Sequence, residues 1–365
     1  MIGISFSEYQ APKDNRTQFE KLKDLFLELL LHASGDVDEA LDWMTMLDEE
    51  HGLFSDDYTF EDFKKDLFKE NIIQTTGQGN SPTPKTEKAI RSKALEDVFG
   101  KIKRAGVGDH NSKQLGKGDE ALPETRPYQF GDAPQLIDYS SSFKNALTRN
   151  YNQGDFNLTE EDLEVRQTAF KAQMSTVVMI DISHSMILYG EDRITPAKKV
   201  ALALAEYINR RYPKDHVEFV VFGNDAWKVS LKDLPYLQVG PYHTNTVAGL
   251  ELAMDLLRRK KESNKQIFMI TDGKPTCLKE GDQYYKNSMG HDPKIISKCL
   301  NLAIQCRKLK IPITTFMIAN DPYLQSFVEE FTEANKGKAF FSGLNGLADM
   351  VFKDYENNRK KNTRF

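Results

Sequence analysis

Apolar residues recur at helical spacing near the start of the chain. From Asn15 to about Ala33, Phe19, Leu22, Leu25, Phe26, Leu29 and Leu30 fall on one side, while Lys21, Lys23 and Glu28 fall off it. That is the pattern of an amphipathic helix. The same spacing predicts a second helix over Val37–His51, stopped by Gly52, and a third over Phe60–Glu70 with Phe63 and Leu67 facing inward. Residues 75 to 86, TTGQGNSPTPKT, have the breaker composition of a linker. A further helix with a moderate apolar face is expected over Lys85–Lys103.

The period changes in the second half. Val177, Val178, Met179 and Ile180 form a short apolar, β-branched-rich run suited to a strand buried on both faces. A helix over Thr195–Arg211, with Pro196 in its first turn, leads to a strand over His216–Gly223 and a short edge strand over Trp227–Leu231. Helix Ala248–Lys260 precedes strand Gln266–Thr271. Helix Pro293–Leu309 precedes strand Ile313–Ala319, and helix Tyr323–Ala334 precedes a short strand over Ala339–Phe341 and a last helix from Leu347 to about Tyr355. Strands alternating with helices predict an α/β fold, a mostly parallel sheet covered by helices on both faces, preceded by a smaller helical region. The chain divides accordingly into a helical module at 1–72, a linker and surface-packed connecting segment at 73–170, an α/β domain at 171–358 and a basic tail at 359–365.

Composition narrows the function classes. With 365 residues, 39% hydrophobic residues and a net charge of −5, the chain can bury a sizeable core and offers no field that would draw in nucleic acid. The longest greasy patch, LFLELLL at Leu25–Leu31, is interrupted by Glu28 and is far short of a membrane span. The opening MIGISFSEYQAPKD lacks the pattern of a secretory signal. Cys277, Cys299 and Cys306 form neither an even framework nor a metal-spaced pair, so reduced thiols and a cytoplasmic setting are expected. Cys299 and Cys306 share a helix face as small buried side chains, whereas Cys277 is a candidate exposed thiol.

Candidate chemistry gathers where strands end. In TVVMIDISHSM the run closes on Asp181, Ser183 and Ser185, a carboxylate and two hydroxyls at alternate positions. All are hard oxygen donors of the kind Mg²⁺ takes, although Asp and Ser also gather at strand ends simply to cap the next helix. His184, between the serines, points the other way and is expected in solvent. YHTNTVAGL supplies Thr244 and Thr246 before a helix, and QIFMITDGKP closes a second apolar strand on Asp272, followed by a turn-permitting glycine. The glycine-rich stretch from Gly106 to Glu120 is not a phosphate loop, because Asn111 and Gly118 stand where glycine and Ser or Thr would be needed.

Three oxygen clusters in this order resemble a von Willebrand factor A (VWA) domain with a metal-ion-dependent adhesion site. The resemblance implies one divalent cation, Mg²⁺ or else Mn²⁺ or Ca²⁺. Asp181, Ser183 and Ser185 would form the first loop, Thr244 rather than Thr246 the second-loop ligand, and Asp272 the third. His243 stands where the family often has glycine. A partner's Glu or Asp would complete the shell, making the site a binding device without catalytic residues. The rival, a metal-dependent phosphatase or hydrolase, lacks the second carboxylate two residues after Asp181 that haloacid-dehalogenase-type phosphatases carry. A scaffold with a vestigial site is the remaining alternative. With Gly106, Gly108 and His110, and the run ETRPYQFGD from Glu124 to Asp132, residues 90–358 resemble cytoplasmic bacterial VWA proteins paired with a MoxR-like or magnesium-chelatase-like AAA+ ATPase. Those relatives imply an adaptor acting on a client protein, without nucleic acid or membrane. The long polar loop after Asp272, with Tyr284 and Tyr285, is expected to help select the partner.

Overall fold

The computed structural model describes residues 16–77, 79–103, 115–130, 132, 134–150, 157–169, 173–262, 264–289, 291–318, 322–341 and 347–362. Three helices open it, α1 (Gln18–His32), α2 (Val37–His51) and α3 (Phe60–Lys69). Each starts on a side-chain cap: Thr17 and Thr59 form capping boxes with Glu20 and Asp62, and Asp36 caps α2. Gly52 ends α2 in the left-handed region at φ +61°, as a glycine stop should.

The expected linker is a built element. Ile73–Thr76 (β1) and Gly79–Pro82 (β2) pair as an antiparallel hairpin that leads directly into α4 (Pro84–Lys103). Its polar composition hid tertiary partners. Asn80 Nδ2 donates to Asp38 Oδ1 on α2 at 2.7 Å, and the buried Thr83 and Thr86 hydroxyls donate to the carbonyls of Asn71 and Ile72. Further on, β3 (Leu115–Pro127) and β4 (Glu164–Ala169) form an antiparallel ribbon with bulges, with α5 (Tyr139–Asn150) beside it. Of the ETRPYQFGD run, residues 124–127 end β3, and beyond them the Asp132 N–H donates to the Gln129 carbonyl at 3.0 Å. The Arg126 guanidinium grips Asp132 through both oxygens, at 2.7 and 2.6 Å, and leaves Phe130 almost wholly in solvent. Gly106, Gly108 and His110 lie outside the described residues.

The α/β domain holds a six-stranded sheet in the order β12-β11-β8-β5-β6-β7. Its strands are β5 (Met174–Asp181), β6 (His216–Phe222), β7 (Ala226–Val229), β8 (Asn264–Thr271), β11 (Ile313–Met317) and β12 (Lys338–Phe341). All pair in parallel except β7, the antiparallel edge. Central β5 is buried along its whole length, and strand alternation divides it between two cores. Val178 and Ile180 face α6 (Ile194–Arg211) and α10 (Leu347–Asn362). Val177 and Met179 face α7 (Thr246–Arg258), α8 (Pro293–Lys308) and α9 (Pro322–Asn335). The first core is continuous with the N-terminal helices, since Phe26, Leu30, Phe63 and Leu67 join the same cluster as Leu202 and Leu204.

Two further expectations change. The loop after Asp272 contains a hairpin, β9 (Cys277–Glu280) with β10 (Gln283–Lys286). Cys277 is fully buried there, not exposed, because its side chain starts a strand packed against α7; Cys299 and Cys306 are also buried, as expected. The last helix runs past Tyr355 to Asn362, so the basic tail is helical over its first turn. Arg359 stacks 3.9 Å from the Tyr212 ring and pairs with Asp215 at 2.9 Å.

Candidate functional site

Parallel strands end together, and three of the loops that leave them converge at the C-terminal edge of the sheet. At the end of β5, Asp181 Oδ1 accepts from the Ser183 amide at 2.9 Å, which turns the chain at once into a short 3-10 segment, His184–Gly190. Ser183 and Ser185 therefore face the site, and His184 faces solvent as expected. The Thr244 loop is set by Asn245, which caps α7 through Ala248 and donates to the Asn224 carbonyl at 2.8 Å. Thr244 N–H donates to Thr276 Oγ1 at 3.1 Å. Thr246, the alternative, is the first residue of α7.

All five candidate residues come together. Thr244 Oγ1 donates to Ser183 Oγ at 3.0 Å, Ser183 Oγ and Ser185 Oγ lie 3.1 Å apart, and Ser185 Oγ donates to Asp272 Oδ1 at 2.7 Å. Asp181 lies beside this run, its Oδ2 accepting from Thr271 Oγ1 at 2.6 Å. Asp181, Ser183, Thr244 and Asp272 are nearly or fully buried. Gly273 keeps the run open: a Cβ there would stand 3.0 Å from Ser185 Oγ and 3.2 Å from Thr244 Oγ1.

Burial raises the Asp181 carboxyl above the usual range, with the nearby Asp272 charge adding to it, while hydrogen bonds from Ser183 and Thr271 pull the other way. Burial also raises Asp272, against the Ser185 hydroxyl and the Arg193 guanidinium. When both of these buried carboxylates are ionised, they and the one guanidinium carry an excess negative charge that a cation would relieve. The donor set suits a hard dication. Neighbouring ligands in an octahedral Mg²⁺ shell lie about 2.9 Å apart, and the run from Thr244 to Asp272 already has steps of 2.7 to 3.1 Å. Among the described residues no group of three or more His, Cys, Asp or Glu could hold a metal ion, so the candidate set is a mixed one of three hydroxyls and two carboxylates.

Sequence reasoning missed Thr271 and Arg193. Thr271 was within reach, because the parallel register pairs Ile180 with Ile270 and so sets Thr271 beside Asp181. Arg193 was not. Its Nη1 donates to Asp272 Oδ2 at 2.7 Å across 79 positions, and no local pattern marks it.

The family described as "Rv0959-like protein, vWA domain" matches residues 174–356, the whole sheet with its helices. The chain belongs to this vWA family. A second description, "Rv0959-like protein, third domain", matches residues 120–168, the ribbon and α5. The vWA chain is 28% identical over 313 residues to the uncharacterized proteins Rv0959 of Mycobacterium tuberculosis and Mb0984 of Mycobacterium bovis. The match covers 83% of this chain and 46% of each relative, so it spans about half their length. Among solved structures, the vWF domain of the pilus tip protein Mfa5 from Porphyromonas gingivalis is 13% identical, with a TM-score of 0.43 over 54% of this chain and 98% of that one. BatB from Bacteroides thetaiotaomicron is 15% identical, with a TM-score of 0.39 over 52% and 99%. No helix among the described residues is long and apolar enough to cross a membrane.

Proposed function

We propose that this vWA protein is a divalent-metal-dependent protein-interaction module. Ser183, Ser185 and Thr244 would hold Mg²⁺, or Mn²⁺ or Ca²⁺, with Asp181 and Asp272 supplying charge directly or through water. When bound, the ion offers a Lewis-acidic position to a carboxylate from another protein. The chain's own residues do the rest: Thr271 and the Ser183 amide fix Asp181, Thr276 and Asn245 fix the Thr244 loop, and Gly273 leaves room for an incoming group. The observation that carries this reading is the unbroken run of oxygens from Thr244 to Asp272 beside a second buried carboxylate. A hydrolytic role would require a positioned base, and His184 points out of the run.

The proposed partners are an AAA+ ATPase of MoxR or magnesium-chelatase type and a client protein that supplies Glu or Asp, in metal insertion or complex maturation. Capture of a co-expressed ATPase of that type in magnesium, lost in chelator and in Asp181→Ala, is the expected result. Equal capture in chelator overturns the metal-dependent mechanism. Magnesium-dependent turnover of generic phosphate esters, abolished by Asp181→Ala, would replace it with the hydrolase reading.

A further inference from the structure

Asp272 divides its two oxygens between different neighbours. Oδ1 accepts from Ser185 inside the oxygen run, and Oδ2 accepts from Arg193 Nη1 at 2.7 Å on the outside. The Asp272 side chain is fully buried and that of Arg193 is only 15% exposed, so little water screens the pair. Arg193 is itself held. Its backbone N–H donates to the Met186 carbonyl at 3.0 Å, and Nε and Nη2 both reach Glu191 Oε2, at 3.2 and 2.9 Å. Glu191 is exposed, which weakens its claim on the guanidinium charge.

We propose that Arg193 sets the charge of the oxygen site: it weakens the hold on the dication and leaves the loaded site positive enough to draw a carboxylate. The inference rests on the metal-binding reading above. Two aspartates and one guanidinium sum to one negative charge, so a dication leaves one positive charge over. Without Arg193 the sum is two negative charges, and the loaded site is neutral. A neutral centre retains the dication more tightly and has no net attraction for an acidic partner. Arg193 is thus a positioning and charge-setting residue, since it touches Asp272 and not the ion.

The test measures Mn²⁺ binding at neutral pH from the signal of the free ion, and then acetate displacement of Mn²⁺-bound water from water-proton relaxation. Arg193→Gln should bind Mn²⁺ about tenfold more tightly and respond less to acetate, whereas Arg193→Lys should stay nearer the parent in both. Arg193→Gln that binds Mn²⁺ no more tightly than the parent overturns the proposal. If that variant does not fold, Glu191→Gln decides. It frees the guanidinium from its exposed partner and should weaken Mn²⁺ binding by about twofold, and unchanged or tighter binding overturns the proposal. Failure of the parent protein to bind Mn²⁺ at all brings down the metal-binding reading itself, which separates the two outcomes.

Discussion

Lys198 Nζ on α6 donates to the carbonyl of Leu31 at the end of α1, 2.9 Å away, with the lysine fully buried. Its other protons reach Pro235 O at 3.2 Å and Leu237 O at 3.3 Å, so one ammonium serves the C-terminal end of an N-terminal helix and a turn of the sheet domain together. Lys198→Met should destabilise the protein by about 1–3 kcal/mol in urea unfolding, because the buried Pro235 carbonyl loses this donor while Leu31 and Leu237 keep their bonds from Ser34, at 3.4 and 3.0 Å.

The same lysine gives a pH signature. Burial lowers it to about 8 from an ordinary 10.5, with Asp192 acting against the shift. Between those values Lys198 holds more of its proton in the unfolded chain than in the folded one, so this lysine's own contribution to stability rises with pH across that window. The raised thiols act the other way in the same range, so the check is the difference: the stability gap between the parent and Lys198→Met, from urea midpoints, should widen from about pH 8 towards 10.5.

Asp181→Asn removes one of two buried like charges and keeps a side-chain oxygen for the Ser183 amide. Without metal its melting temperature should rise above the parent's. Addition of Mg²⁺ should raise the parent's melting temperature and leave the variant's unchanged, since only a state that binds the ion is stabilised by it. Calorimetric scans with and without Mg²⁺ check both halves.

The C-terminal helix is fastened through Asp215. Tyr355 OH and Arg359 Nε both donate to Asp215 Oδ2, at 2.8 and 2.9 Å, and the Met174 amide donates to Oδ1 at 3.2 Å at the start of β5. Tyr355→Phe should cost about 1–2 kcal/mol, with the ring packing kept and one charge-assisted bond lost. The decrease in urea midpoint measures it.

Burial raises all three thiols, Cys277 among them. A thiolate reagent at neutral pH should therefore label none of the three in the native protein and all three in denaturant. Rapid native labelling at Cys277 would show that the β9–β10 hairpin opens.

The sequence by itself determined the elements and the oxygen donors. Period-3.6 stripes placed α1, α2 and α3, and short apolar runs placed β5 and β8, each closing on a carboxylate where ligands bind in such sheets. These signals are local, because a side chain's direction follows from its own backbone period. Only the tertiary structure decided what meets those donors. The Arg193 contact with Asp272, the Lys198 bonds to Leu31 and Pro235, the anchoring of the β1–β2 hairpin on Asp38 and the burial of Cys277 all join residues with no shared pattern. Such partners are chosen by how the elements pack, and charge, hydroxyl and thiol groups carry no periodicity that foretells which distant neighbour will enclose them.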